Sequence, residues 1–145
     1  MRDELDQYLC KVYPKIFKDR SGDPKETLMC FGFECGDGWF QIINQLCNNI
    51  QHYLNWQNKD SEVVPQVVAT QVKEKFGTLR FYYDGGDSKI DGMVRMAESM
   101  SGVTCEECGK PGKTRQGGWI KVLCDEHEAE RQQRYKERFR DDGTN

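Results

Sequence analysis

Apolar positions along this chain follow helical spacing in three stretches and strand alternation in two. Leu5, Leu9, Val12 and Ile16 make the first helical stripe, with Tyr8 and Phe17 beside it. Pro14 interrupts it. Proline lacks the donor N–H and crowds the preceding turn, so the pattern predicts a kinked helix or two short ones. Ser21-Gly22-Asp23-Pro24 is a loop by composition. Residues 25–36 carry Gly32 and Gly36 among aromatics and cysteines, and read as irregular chain packed against the core. The second stripe comprises Trp39, Ile42, Ile43, Leu46, Cys47, Ile50, Tyr53 and Leu54, with Gln41, Asn44, Asn48 and Gln51 on the other face. It predicts the main core helix, capped by Asp37 and ending near Asn58.

Val63 to Val72 is β-branched, with Val68, Thr70 and Val72 alternating against Ala69, Gln71 and Lys73. Leu79, Phe81 and Tyr83 alternate likewise against Arg80 and Tyr82, and Gly77 can supply the positive φ between the runs. Two alternating runs about a glycine turn predict an antiparallel hairpin over 63–83. Asp84-Gly85-Gly86-Asp87 then turns the chain. Its carboxylates could take Mg2+ or Ca2+, but a turn and a helix cap require the same residues, and the turn is the preferred reading. Asp87 would cap the third helix, which bears Ile90, Met93, Val94, Ala97 and Met100 and ends at Ser101-Gly102.

The strongest chemical signal follows. Cys105-Glu-Glu-Cys108 and Cys124-Asp-Glu-His127 lie fifteen residues apart. Three thiolates and an imidazole in two x2 pairs are an ordinary structural set for one tetrahedral Zn2+. Gly109 suits the left-handed backbone after such a knuckle. Gly117-Gly118 turns a short hairpin before Trp119, Ile120, Val122 and Leu123, and a helix runs from about Asp125 to Arg140. Knuckle, hairpin and a helix whose first turn carries the last ligands are the order of a treble-clef zinc finger. The helix is acidic at its start and basic at its end, matching its dipole, and residues 141–145 are expected to fray. The expected fold is therefore α+β: helices packed with an antiparallel hairpin or small sheet, plus a C-terminal treble-clef unit ending in a charged helix. Residues 1–102 would form the core and 103–145 the zinc unit, packed as one compact domain.

Composition narrows the functional classes. At 145 residues with a net charge of −3, the chain is not a general neutraliser of nucleic acid. Three zinc-bound thiolates would add about one further negative charge. Seven cysteines, three of them in a zinc pattern, point to a reducing cytoplasm and not to a disulfide framework. Met1-Arg2-Asp3-Glu4 is followed by no apolar run, so neither a signal peptide nor a membrane span is expected.

Three segments resemble a family of small, uncharacterised bacteriophage and prophage proteins with a C-terminal treble-clef-like zinc segment. They are Glu34-Cys35-Gly36-Asp37-Gly38-Trp39, the stretch Val72-Lys73-Glu74-Lys75-Phe76-Gly77-Thr78-Leu79-Arg80-Phe81-Tyr82-Tyr83, and the zinc segment through Gly117-Gly118-Trp119-Ile120 to His127. The resemblance covers about residues 30 to 130 and leaves the first twenty or so residues out. It implies a phage setting, in which small accessory proteins commonly bind a host enzyme, a host defence component or nucleic acid.

Four protein ligands leave no open position for substrate, so the zinc is read as structural and the protein as non-enzymatic. Only His52 remains as a free histidine, on a polar helix face, and no GxGxxG or GxxxxGK[ST] loop is present. The leading expectation is a zinc-stabilised cytoplasmic binding protein whose partner is a host protein. The alternative is a nucleic-acid-binding zinc protein using Lys113, Arg115, Trp119 and Lys121 on the zinc hairpin and Arg131 and Arg134 on the last helix, although acids are interspersed there. A third reading is a nucleotide or small-molecule binder built on Lys73, Lys75, Arg80 and Tyr82 of the aromatic hairpin. Cys10, Cys30, Cys35 and Cys47, with His52 able to join, offer a weaker candidate for a second metal, with buried core thiols as the plainer account.

Overall fold

In the computed structural model, which describes residues 1–141, four helices pack with a three-stranded and a two-stranded sheet, a mixed α+β architecture. Helix α1 spans Asp3–Val12, α2 Phe40–Gln57, α3 Ser88–Ser101 and α4 Asp125–Asp141. The strands are β1 Phe33–Glu34, β2 Val68–Lys75, β3 Thr78–Asp84, β4 Lys113–Arg115 and β5 Lys121–Leu123. Of the end expected to fray, Asp141 closes α4 and residues 142–145 lie outside the described residues.

The long apolar stripe is borne out in α2, where Ile42, Ile43, Leu46, Cys47, Ile50 and Leu54 are all buried. Fully burying a side chain of this size is worth roughly 1.5–3 kcal/mol, so α2 is the centre of the core. Trp39 is wholly buried too, but in a short 3-10 turn that precedes the helix. Contrary to the sequence expectation, Asp37 does not cap α2. It lies in that 3-10 turn, and its carboxylate accepts the backbone N–H of Arg2 at 2.8 Å.

Pro14 ends α1 at Val12 instead of kinking it, and a separate 3-10 turn follows at Lys18–Ser21. Leu9, Ile16 and Phe17 of the first stripe reach the core, whereas Val12 is exposed on the far side. The Tyr13 hydroxyl donates to Asn44 Oδ1 at 2.7 Å and so ties this region to α2.

The irregular stretch 25–36 contains a strand the alternation test cannot see. β1 is two residues long and pairs parallel with β2, Phe33 opposite Val72 and Glu34 opposite Lys73. The antiparallel hairpin is present, but its first strand starts at Val68 and not at Val63. A bulge between Ala69 and Gln71 breaks the alternation, so Ala69 and Val72 are the buried residues of β2. The turn is Phe76-Gly77, both with positive φ. Asp87 caps α3 as expected, accepting the N–H groups of Lys89 and Ile90, each at 3.1 Å. Ile90, Val94 and Ala97 are buried while Met100 stays exposed. Among the described residues no helix is long and apolar enough to cross a membrane.

Candidate metal centre

The backbone prepares the metal-ligating turn before any ion is considered. After Cys105 the chain folds tightly enough for the Gly109 N–H to donate to the Cys105 carbonyl at 2.9 Å, with Gly109 at φ 78°. A side chain there would be strained, which is why glycine follows the second cysteine. The β4–β5 hairpin pairs Lys113 with Leu123 and Arg115 with Lys121, returning the chain to Cys124. Cys124 stands at the entry to α4, where the His127 N–H reaches its Sγ at 3.5 Å. A helix N-terminus favours a thiolate through its free N–H groups and its dipole.

Cys105, Cys108, Cys124 and His127 thus converge, with every ligand atom within 4.8 Å of every other. Cys108 Sγ lies 3.9 Å from Cys124 Sγ, and His127 Nδ1 lies 3.6 Å from Cys105 Sγ and 3.2 Å from Cys124 Sγ. A tetrahedral ion with metal–sulfur bonds of about 2.3 Å needs edges of roughly 3.5–3.8 Å, so the donor set fits a metal ion. Burial pushes the Cys105 thiol up, but N–H groups of Cys124, Cys108 and Glu107 outweigh it and hold it below its ordinary value. Burial, together with the neighbouring Cys105 and Cys124 sulfurs, raises Cys108. Converging thiols oppose one another's ionisation, and a bound cation removes that opposition.

The knuckle is set into the wall of the core. Glu106, between the first two ligands, is 3% exposed. Its carbonyl accepts the Gly38 N–H at 2.7 Å, its Oε1 accepts the Gly36 N–H at 3.1 Å, and its Oε2 pairs with Lys121 Nζ at 2.9 Å. A Cβ at Gly38 would come 2.1 Å from the Cys105 carbonyl oxygen and one at Gly36 would come 2.3 Å from that of Glu106. The Trp39 indole donates to Thr104 O at 3.0 Å. A second seam joins the two hairpins: Trp119 Nε1 donates to Glu74 at 3.2 Å, and Gly77 abuts Ile120.

The basic residues read from the zinc segment are all engaged by acids. Lys113 and Arg115 meet Asp125 at 3.7 and 2.6 Å, and Lys121 meets Glu106. Arg131 is buried against Glu128, and Arg134 lies 3.9 Å from Glu130. Lys73, Lys75, Arg80 and Tyr82 do come together on the outer face of the β2–β3 hairpin, opposite Val72, Leu79 and Phe81. None of these three cations makes an ion pair among the described residues, although Glu34 shares the face and accepts from Gln71.

The remaining cysteines do not gather. Burial pushes Cys10 up to about 11, aided by Asp6, and Cys35 up to about 12. Cys47 is fully buried, Cys30 donates to Thr27 O, and His52 is exposed on α2. No second convergence of three or more Cys, His, Asp or Glu ligand atoms occurs among the described residues. Sequence reasoning missed Glu106, treating it as one acid among several. Its place between two ligands, with glycines spaced x1 at Gly36 and Gly38 to receive it, is a signal legible only once the two segments are known to touch.

No protein-family model matches the chain, and neither the curated proteins nor the solved structures searched contain a match to it.

Proposed function

We propose that this chain is a zinc-stapled, non-enzymatic binding protein, an accessory protein of the phage or prophage kind that engages a host protein such as a defence component. The observation that carries the reading is the complete donor set built into the core wall. The ligand atoms of Cys105, Cys108, Cys124 and His127 all lie within 4.8 Å of one another; four such donors would complete a tetrahedral Zn2+ and leave it no coordination position for a substrate. When bound, zinc supplies cross-linking and neutralises the thiolates. The chain's own residues do the rest: Glu106 fixes the knuckle to Gly36 and Gly38, and Arg115 and Asp125 lock the hairpin to α4. The knuckle–hairpin–helix order supports a unit of the treble-clef type. Large exposed aromatic side chains accompany that unit, Trp119 and Phe139 on it and Phe76 on the neighbouring hairpin tip, where Gly77 abuts Ile120.

A second reading, nucleic-acid binding, has one observation in its favour: the unpaired Lys73, Lys75 and Arg80 around Tyr82 on the open sheet face. The two separate by native mass spectrometry of the untagged protein recovered from nuclease-treated host lysate. One zinc and a co-purifying protein that survives nuclease are expected. Retention on a polyanion column that falls steeply with salt and depends on Lys73 and Arg80, with no protein partner, would instead establish the nucleic-acid reading.

A further inference from the structure

Charge and packing part company along α4. Arg131 is buried, but from Gln132 to Arg140 every residue is exposed. A helical stretch this short is marginal in water by itself. It carries Arg134, Lys136, Arg138 and Arg140 against the single acid Glu137, with Glu130 one turn earlier 3.9 Å from Arg134, on a chain whose net charge is −3. Tyr135 and Phe139, four residues apart, share one face, and Phe139 is 75% exposed. At the root of that face α4, the β4–β5 turn and the end of β2 enclose a groove of about 430 Å3. Trp119, Tyr135, Arg134 and Arg138 line it together with Glu74 and Glu107.

The groove is held ready. Arg131 donates to the Trp119 carbonyl at 2.6 Å and lies over the Tyr135 ring, its guanidinium 5.6 Å from the ring centre. Trp119, 62% exposed, is steadied by its indole bond to Glu74. The adjoining hairpin tip presents Phe76, which is 74% exposed and has a φ of 52° that a bulky side chain rarely adopts. A strained, exposed aromatic beside a cationic groove marks a surface shaped for contact.

We propose that this groove and the adjoining face of α4 dock an acidic protein segment bearing a large apolar side chain. The proposal rests on the binding-protein reading above and adds the surface and the partner's chemistry. Exposed Trp, Tyr and Arg side chains are the residue types on which binding energy concentrates. The cations call for carboxylates, and the rings for an apolar side chain between them. A single nucleotide would fill the groove but leave Phe139 bare. A phosphate chain carries a charge at every link and would set some of them against Glu74 and Glu107, whereas a peptide can place its apolar side chain there, beside Trp119, and keep its carboxylates for Arg134 and Arg138.

The test pans a random peptide library on the zinc-loaded full chain. Enriched peptides are expected to carry Asp or Glu beside Trp, Phe or Leu. Their affinity should fall about tenfold or more in Trp119→Ala and in the double variant Arg134→Glu/Arg138→Glu. Trp56→Ala, an exposed ring near the end of α2 that does not line the groove, should bind unchanged, and zinc content reports that each variant is folded. Failure to enrich acidic peptides, or enriched peptides indifferent to the charge reversal, overturns the proposal. So does a thymidine oligonucleotide that binds with the same dependence on Arg134 and Arg138. A host-protein complex that survives the double variant overturns this surface while leaving the binding reading intact. No complex with the parent protein overturns that reading, whatever the peptides do.

Discussion

Glu106 holds three neighbours at once: two glycine N–H groups of the segment before α2 and the Lys121 ammonium of β5. Its side chain is nearly sealed from solvent, so Glu106→Ala leaves the Gly36 N–H and the Lys121 charge without their acceptor. The expected loss is about 2–3 kcal/mol in denaturant unfolding of the zinc-loaded protein. Glycine positions give a paired contrast. Gly38→Ala drives a methyl into the Cys105 carbonyl and should destabilise severely, whereas nothing lies within 4 Å of a Cβ at Gly92. Gly92 is in the interior of α3, so Gly92→Ala should stabilise by roughly 0.5–1 kcal/mol, read as a raised melting temperature. Asp87 carries a pH signature. The Tyr53 hydroxyl above all, then the Ile90 and Lys89 N–H groups, hold its carboxyl below the ordinary value of 3.8. A depressed folded-state pKa means its stabilisation is complete above the unfolded-state value and lost as pH falls through the folded one. Asp87→Ala should therefore cost about 1 kcal/mol at neutral pH, and the gap to the parent should close only below about pH 4.

At the level of elements, the metal-bearing unit and the free half of α4 should behave differently. Cys105→Ser removes one of the four candidate ligands, so on the proposal of a metal staple the variant should lose bound metal and expose residues after Ser101 to protease. A variant as resistant as the parent would refute the staple. Amides of Gln132–Arg140 should exchange with solvent much faster than those of α2, because every residue of that stretch is exposed whereas α2 buries one face in the core. The same contrast shows why some elements could be read from sequence and others could not. The stripe of α2, the Asp87 cap and the x2 ligand pairs are local patterns, and each emerged where it was expected. β1 is two residues long and exists because Phe33 lies beside Val72, a pairing that no local pattern encodes. The β-branched run from Val63 reads as strand, but pairing begins only at Val68 and the bulge then shifts which side chains face inward. The charges of the zinc segment looked like a basic patch in sequence, and folding matched them to Asp125, Glu106, Glu128 and Glu130. Ion pairing between elements depends on which ones meet, and that lies outside any window of sequence.

At the scale of the whole molecule, residues about seventy apart in sequence are joined at one seam, Gly36 to Glu106. The candidate metal site is thereby more than a clasp on its own loop: its knuckle forms part of the wall against which α2 begins. Removing the ion should be felt in the core and not only in the C-terminal third. Trp39 offers a direct way to see this. Its indole is fully buried and bonded to the residue before the first ligand, while Trp56 and Trp119 face water. The protein therefore carries a built-in optical gauge. The short-wavelength part of its tryptophan emission belongs to Trp39, and chelation should shift that component to the red while leaving Trp56, exposed on α2, as it was.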